Sequence, residues 1–238
     1  MMGWYAHPKL LTLKLTELPP GYPNGFTFPE GMTPNTADYF GRGWCFCESS
    51  VSSMRKDFDM VLDLAKHTGT KTDLDEVIKE CAAARPAPLT PAEFEIALGS
   101  KAFTSKKADE KMVAQLYEAT FKEEMGEAET LDYSNLQWGD EEVAALCKVL
   151  VSGAVPKLGS LYLGNNKIGD VGCAALAEAV GSGAVPKLKD LWLYGNPIGA
   201  AAKEQLRAAC RPRGIRVQGG GRQGGRDDVD GTQRRWPV

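Results

Sequence analysis

Residues 158–169 read Leu158-Gly159-Ser160-Leu161-Tyr162-Leu163-Gly164-Asn165-Asn166-Lys167-Ile168-Gly169. Apolar residues alternate over the first half, which suits a short strand with one face buried, and Gly164 to Gly169 reads as a turn. An apolar helical stripe follows, carried by Val171, Cys173, Ala174, Leu176, Ala177 and Val180 and ended by Gly181 and Gly183. The unit recurs 30 residues later. Gly153-Ala154-Val155-Pro156-Lys157-Leu158 returns as Gly183-Ala184-Val185-Pro186-Lys187-Leu188, and Leu161-Tyr162-Leu163 returns as Leu191-Trp192-Leu193. Asn166 maps onto Asn196, Ile168-Gly169 onto Ile198-Gly199, and Leu176 onto Leu206. One shift earlier, Leu131, Tyr133, Trp138, Gly139 and Leu146 take the equivalent positions, with Leu136 where the later copies carry asparagine.

Strand, turn, helix and return at this period describe a parallel stack in which each unit buries its apolar side against the next. Strands are predicted near 131–133, 161–163 and 191–193, and helices near 140–151, 170–181 and 200–210. Ile215-Arg216-Val217 supplies a closing edge strand. The pattern L-x-L-x-x-N-x-I-G followed by an Ala/Leu-rich helix resembles the leucine-rich repeat of the ribonuclease-inhibitor type. Leu161, Leu163, Asn166, Ile168 and Gly169 carry it, and again Leu191, Leu193, Asn196, Ile198 and Gly199. The fold class expected is therefore α/β. It comprises a short leucine-rich-repeat solenoid over 127–218, preceded by a small, mostly helical mixed α/β region over 1–126. Asn166 and Asn196 are the structural turn residues, because a buried amide satisfies backbone groups that the turn leaves unpaired.

Side chains between the core leucines point away from the core and form the concave face. By register these are Asp132, Tyr162 and Trp192 in one row and Ser134, Gly164 and Tyr194 in the next, with Ser160 and Asp190 on the other side. Repeat arrays use this surface for partners, and exposed aromatics dominate interface energetics. Asp132, Ser160, Tyr162, Asp190, Trp192 and Tyr194 are thus the candidate partner-binding residues. The competing reading is that Tyr162 and Trp192 only stabilise neighbouring strands by stacking.

In the N-terminal half, residues 9–15 alternate as a strand that Pro19-Pro20 stops. Residues 19–38 form a long loop, a helix covers about 45–56, and a second strand covers 60–64. Thr72-Asp73 opens a helix reaching about Ala84. Thr90-Pro91-Ala92-Glu93 has a capping-box pattern ahead of a helix carrying Phe94 and Leu98. A last helix over 108–125 places Met112, Leu116 and Phe121 on one side.

Trp44-Cys45-Phe46-Cys47-Glu48, at a helix start after a strand and a loop, resembles the W-C-x-x-E element of TIR (Toll/interleukin-1 receptor) domains. In NAD-cleaving members the matching glutamate is catalytic, so the resemblance implies Glu48. A carboxylate there would stabilise positive charge on a ribose as nicotinamide departs. The competing reading is a buried Trp44 beside an Arg42–Glu48 ion pair. With this half read as a truncated α/β domain, the favoured function is a non-catalytic protein-interaction module or scaffold, and the alternative is a TIR-like NAD-cleaving or nucleotide-binding enzyme.

Composition excludes other classes. Lys+Arg 28 against Asp+Glu 31 gives −3, no global basic field for nucleic acid or an anionic membrane. No apolar run approaches the roughly 20 residues that span a bilayer, and Met1 to Pro8 lacks the charged-then-apolar order of a signal peptide. A cytoplasmic location and a reducing environment are expected. The six cysteines are therefore read as buried or inert thiols. With C-x-C as the only close pair and His7 and His67 the only histidines, no zinc site is predicted and no cofactor is expected. No phosphate-loop, dinucleotide-binding or nucleophile-elbow motif is present, and two histidines leave little for a triad. The tail over 219–238 is Gly/Arg/Asp-rich and reads as a disordered, faintly RGG-like segment. Asp227, Asp228 and Asp230 offset its arginines, so nucleic acid is not an expected partner.

Overall fold

A short helix, α1 (Met2–Ala6), and a three-residue strand, β1 (Thr12–Lys14), open the chain. The strand expected over 9–15 is confined to β1, because the backbone N–H of Leu10 turns back onto the His7 carbonyl at 3.2 Å and uses up the residues before it. The computed structural model describes residues 2–18, 20–31, 35–103 and 107–219. The tail expected to be disordered lies outside them except for Gly219. Helix α2 (Gly43–Ser52) begins and ends earlier than the alternation suggests. The hydroxyls of Ser52 and Ser53 both donate to the Ser49 carbonyl, at 3.0 and 2.7 Å, and such local bonds compete with helix continuation.

Strand β2 (Val61–Asp63) pairs with β1 in parallel, Leu13 opposite Leu62, and helix α3 (Leu74–Cys81) follows. Asp73 caps α3 by accepting the N–H groups of Asp75 and Glu76. The helix stops three residues short of Ala84 because the chain is drawn into the sheet region. Ala83 N–H donates to the Val61 carbonyl at 2.9 Å, and Ala82 bridges Leu62 antiparallel. Helix α4 (Pro91–Leu98) has the expected capping box, with Thr90 and Glu93 exchanging backbone-to-side-chain bonds. Helix α5 (Lys107–Gly126) buries Val113, Tyr117, Thr120, Phe121 and Met125. Met112, expected on that face, is half exposed, since the buried stripe runs from 113 in steps of three and four.

Then come β3 (Thr130–Asp132), α6 (Asp140–Val151), β4 (Ser160–Tyr162), α7 (Asp170–Gly181), β5 (Asp190–Trp192), α8 (Ala200–Cys210) and β6 (Arg216–Gln218). The strands form one parallel sheet in chain order, with Leu131, Leu161, Leu191 and Val217 in line. Each of β3 to β6 starts one residue off the expected position at most, and the three helices stand where the 30-residue recurrence places them. Leu131, Leu161 and Leu191 are buried while the residues on either side of each are not, which is the alternation of a half-buried strand. The protein is thus α/β with parallel sheets. Among the described residues, no helix is long and apolar enough to cross a membrane.

Buried apolar residues of the two halves join in one cluster that runs from Ala6 and Cys47 through Phe94, Tyr117 and Trp138 to Leu206 and Ile215. Two hydrogen bonds pin the join. Tyr133 Oη donates to the Met54 carbonyl at 2.6 Å, and Trp138 Nε1 donates to the Arg85 carbonyl at 2.7 Å. Both aromatics belong to the first unit, where the later units carry Leu163 and Ile168. The N-terminal half also buries cations. Lys14 Nζ donates to Ser49 Oγ at 2.7 Å and Arg85 Nη2 to the Ser53 carbonyl at 2.8 Å.

Candidate functional site

The turns that hold the sheet are built by amides. Asn166 Oδ1 accepts the N–H groups of Leu136 and Trp138, at 3.0 and 3.1 Å. Its Nδ2 donates to the carbonyls of Tyr133 and Leu163, at 2.7 and 3.1 Å. Asn196 repeats the arrangement one unit on, accepting Ile168 N–H at 3.0 Å and donating to the Leu163 and Leu193 carbonyls. Each amide therefore ties its own turn to that of the preceding unit. A second ladder escaped the sequence reading. Asp140 Oδ1 accepts Gly169 N–H at 2.7 Å, and Asp170 Oδ1 accepts Gly199 N–H at 2.6 Å. Its signal was present as the recurrence of Asp140 at Asp170. Asn135, Asn165 and Gly195 supply a left-handed turn residue at equivalent positions of the three units, with φ of 61°, 54° and 71°, and Gln137 adds a second in the first unit, at 61°.

On the outward side of the sheet, Tyr162 and Trp192 stack with ring centroids 5.6 Å apart and planes 14° from parallel. Both are half-buried. Trp192 Nε1 is shielded from solvent and, among the described residues, meets no acceptor. Asp132 is exposed and its Oδ1 accepts Ser134 N–H at 2.9 Å. Ser160 is half-buried at the start of β4.

Three members of the face differ from the register-based expectation. Ser134 and Gly164, placed in an open row, are buried. The Tyr194 ring lies across Gly164 so closely that a Cβ there would stand 2.5 Å from Tyr194 Cζ. Asp190 is not a free acid. Arg216 clamps it bidentately, Nε to Oδ1 at 2.7 Å and Nη2 to Oδ2 at 2.9 Å, which neutralises this end of the face. The sequence reading had Arg216 in the closing strand but did not pair it.

Glu48 sits half-buried on α2, far in sequence from this face. Burial pushes its carboxyl up, and a hydrogen bond from the Tyr5 hydroxyl opposes that shift. The ion pair expected with Arg42 does not form, because Arg42 Nε and Nη2 donate instead to the carbonyls of Ala37 and Asn35, at 2.9 and 3.1 Å. Trp44, expected to be buried, is only half-buried at the core margin. Tyr39 and Cys45, also near Glu48, are pushed up by their own burial, so the carboxylate is surrounded by neutral protic groups. Burial holds the other thiols protonated as well. Cys47 and Cys147 are pushed up to about 12 and Cys210 to about 11.

No protein-family model matches the chain, and no curated protein matches it. Among solved structures the chain is similar to leiomodin-1 actin-binding site 2, with 16% identity over 42% of this chain and 60% of that one. The TM-score is 0.34, and a likeness of this size decides neither fold nor function.

Proposed function

We propose that residues 127–218 are a short leucine-rich-repeat solenoid of the ribonuclease-inhibitor type, and that the chain is a non-catalytic module binding a protein partner through the outward strand face. The 30-residue recurrence, the in-line parallel strands and the amide ladder support the repeat reading. The observation that carries the binding reading is the Tyr162–Trp192 stack. It is left half-open on the parallel sheet. A stacked aromatic pair offers a large contact area at little entropy cost.

The 238-residue chain used as bait, beside its Trp192→Ala and Tyr162→Ala variants, tests the reading. A protein captured by the wild type is then purified and its affinity measured for all three. Binding by the wild type that weakens in both variants supports the reading. Equal affinity for all three, with melting temperatures unchanged, overturns it. Glu48 faces the Tyr5 hydroxyl rather than a cation, so incubation with NAD is expected to release no nicotinamide.

A further inference from the structure

Outside the strand face, the fold brings three side chains of unlike chemistry to one place. A turn after β2, closed by Ala65 N–H on Asp63 and His67 N–H on the Leu64 carbonyl, sets His67 beside the last turn of α3. The two segments are fastened by the Ala83–Val61 bond at 2.9 Å and by Lys66 Nζ on the Ala82 carbonyl at 2.7 Å. His67 Nδ1 lies 3.0 Å from Glu80 Oε2, and the donor atoms of His67, Glu80 and Cys81 all lie within 4.8 Å of one another. Glu80 Oε1 is oriented from behind by Thr68, whose Oγ1 donates to it at 2.7 Å and whose N–H donates at 3.3 Å.

We propose that His67, Glu80 and Cys81 bind a divalent transition-metal ion of the zinc type, a role independent of the strand face. Metal bonds of about 2.0–2.3 Å at tetrahedral angles put donors roughly 3.3–3.6 Å apart. The His67–Glu80 pair at 3.0 Å would open slightly, and any donor pair as far apart as the 4.8 Å limit would close by about 1 Å. A neutral imidazole, a carboxylate and a thiolate carry two negative charges, which cancel those of the ion. The mixed nitrogen, oxygen and sulfur set suits zinc and disfavours magnesium or calcium, which take oxygen ligands. Thr68 holds the second carboxylate oxygen as an outer-shell partner does, and water completes the fourth position.

Binding needs no redox partner. The Cys81 S–H bond breaks as the S–metal bond forms and the proton goes to solvent, while His67 shifts its ring proton from Nδ1, where it faces the Glu80 carboxylate, to Nε2 and donates the Nδ1 lone pair. A thiol must give up its proton to ligate a metal, so uptake of the ion releases one. The cluster is hidden in the sequence because His67 and Glu80 stand 13 positions apart, with no C-x-x-C or H-x-x-x-H pair beside them.

Cobalt(II) titrated into the full chain, with zinc as competitor, tests this. One ion per chain should bind with a thiolate-to-cobalt charge-transfer band, with release of a proton, and zinc should displace it. Cys81→Ser should abolish the band, His67→Ala and Glu80→Gln should each weaken binding by about tenfold or more, and Cys45→Ser should leave it unchanged. Absence of the band in the wild type, its loss in Cys45→Ser, or undiminished affinity in a folded His67→Ala chain overturns the proposal. Should Cys81→Ser fail to fold, His67→Ala and Glu80→Gln decide, since neither of those side chains is in the core.

Discussion

The side-chain oxygen of Asn166 accepts the backbone N–H of Leu136 at 3.0 Å, although the two residues occupy the same position in successive units. The amide that closes a turn therefore comes from the unit after it. The first unit needs no asparagine of its own, and Leu136 is free to be apolar and buried. The arrangement makes the stack directional, each unit completing its predecessor.

Loss of that amide should be costly. Asn166→Ala removes four hydrogen bonds to backbone groups of two units. We expect a loss of about 3 kcal/mol, the upper end for buried groups left unpaired, and hence a melting temperature lower by roughly 6–12 °C for a chain of this size. Asn196→Ala, at a half-buried position, should cost less. Thermal unfolding followed by circular dichroism checks the order, which fails if Asn196→Ala is the more damaging.

Trp192 and Leu163 should separate binding from stability. Leu163→Ala empties a fully buried site and should cost about 2–5 kcal/mol. Trp192→Ala forfeits an outward stack worth about 0.5–1.5 kcal/mol beyond its area, but should weaken partner binding by about 1–4 kcal/mol. Melts and binding isotherms on the same preparations are the check. Equal melting of the two variants would make Trp192 a core residue and remove the interaction surface.

Gly164 and Tyr194 should be coupled. A Cβ on Gly164 would meet the Tyr194 ring at 2.5 Å, so Gly164→Ala must displace that ring, at about 1–3 kcal/mol. In a Tyr194→Ala background the same change should be nearly neutral. A double-mutant cycle in denaturant measures the coupling, and additive effects would show that the ring does not lie there.

Lys14 should leave a signature in alkali. Burial, reinforced by Arg85, lowers its ammonium from 10.5 to about 8. The unfolded chain then binds more protons than the folded one between pH 8 and 10.5. The penalty is full below pH 8 and fades as pH rises through that window, with a size on the order of 3 kcal/mol. Lys14→Met lacks the penalty, so its stability relative to the wild type should be highest near pH 7 and should shrink by pH 10. Paired urea unfolding at both pH values tests this, because the buried thiols that lose stability in alkali are common to both chains. A constant difference refutes it.

The repeat, its strand positions and the outward placement of Tyr162 and Trp192 were readable from residues 131–210, because period and alternation are properties of neighbours along the chain. So was the capping box at Thr90. The signals weakened wherever a partner came from far away in sequence. Helix α3 ends at Cys81 because Ala83 pairs with Val61, and α5 turns Val113 rather than Met112 inward because Tyr117 stacks on Phe94 at 3.6 Å. Asp190 looked like an open acid until Arg216, 26 residues on, took both its oxygens. His67 and Cys81 looked unrelated until β2 and the end of α3 were laid side by side. Local pattern dictates which face of an element is apolar. Which polar groups find each other is decided only when loops close, since a bidentate ion pair or a set of metal ligands depends on distances in space that no spacing along the chain encodes.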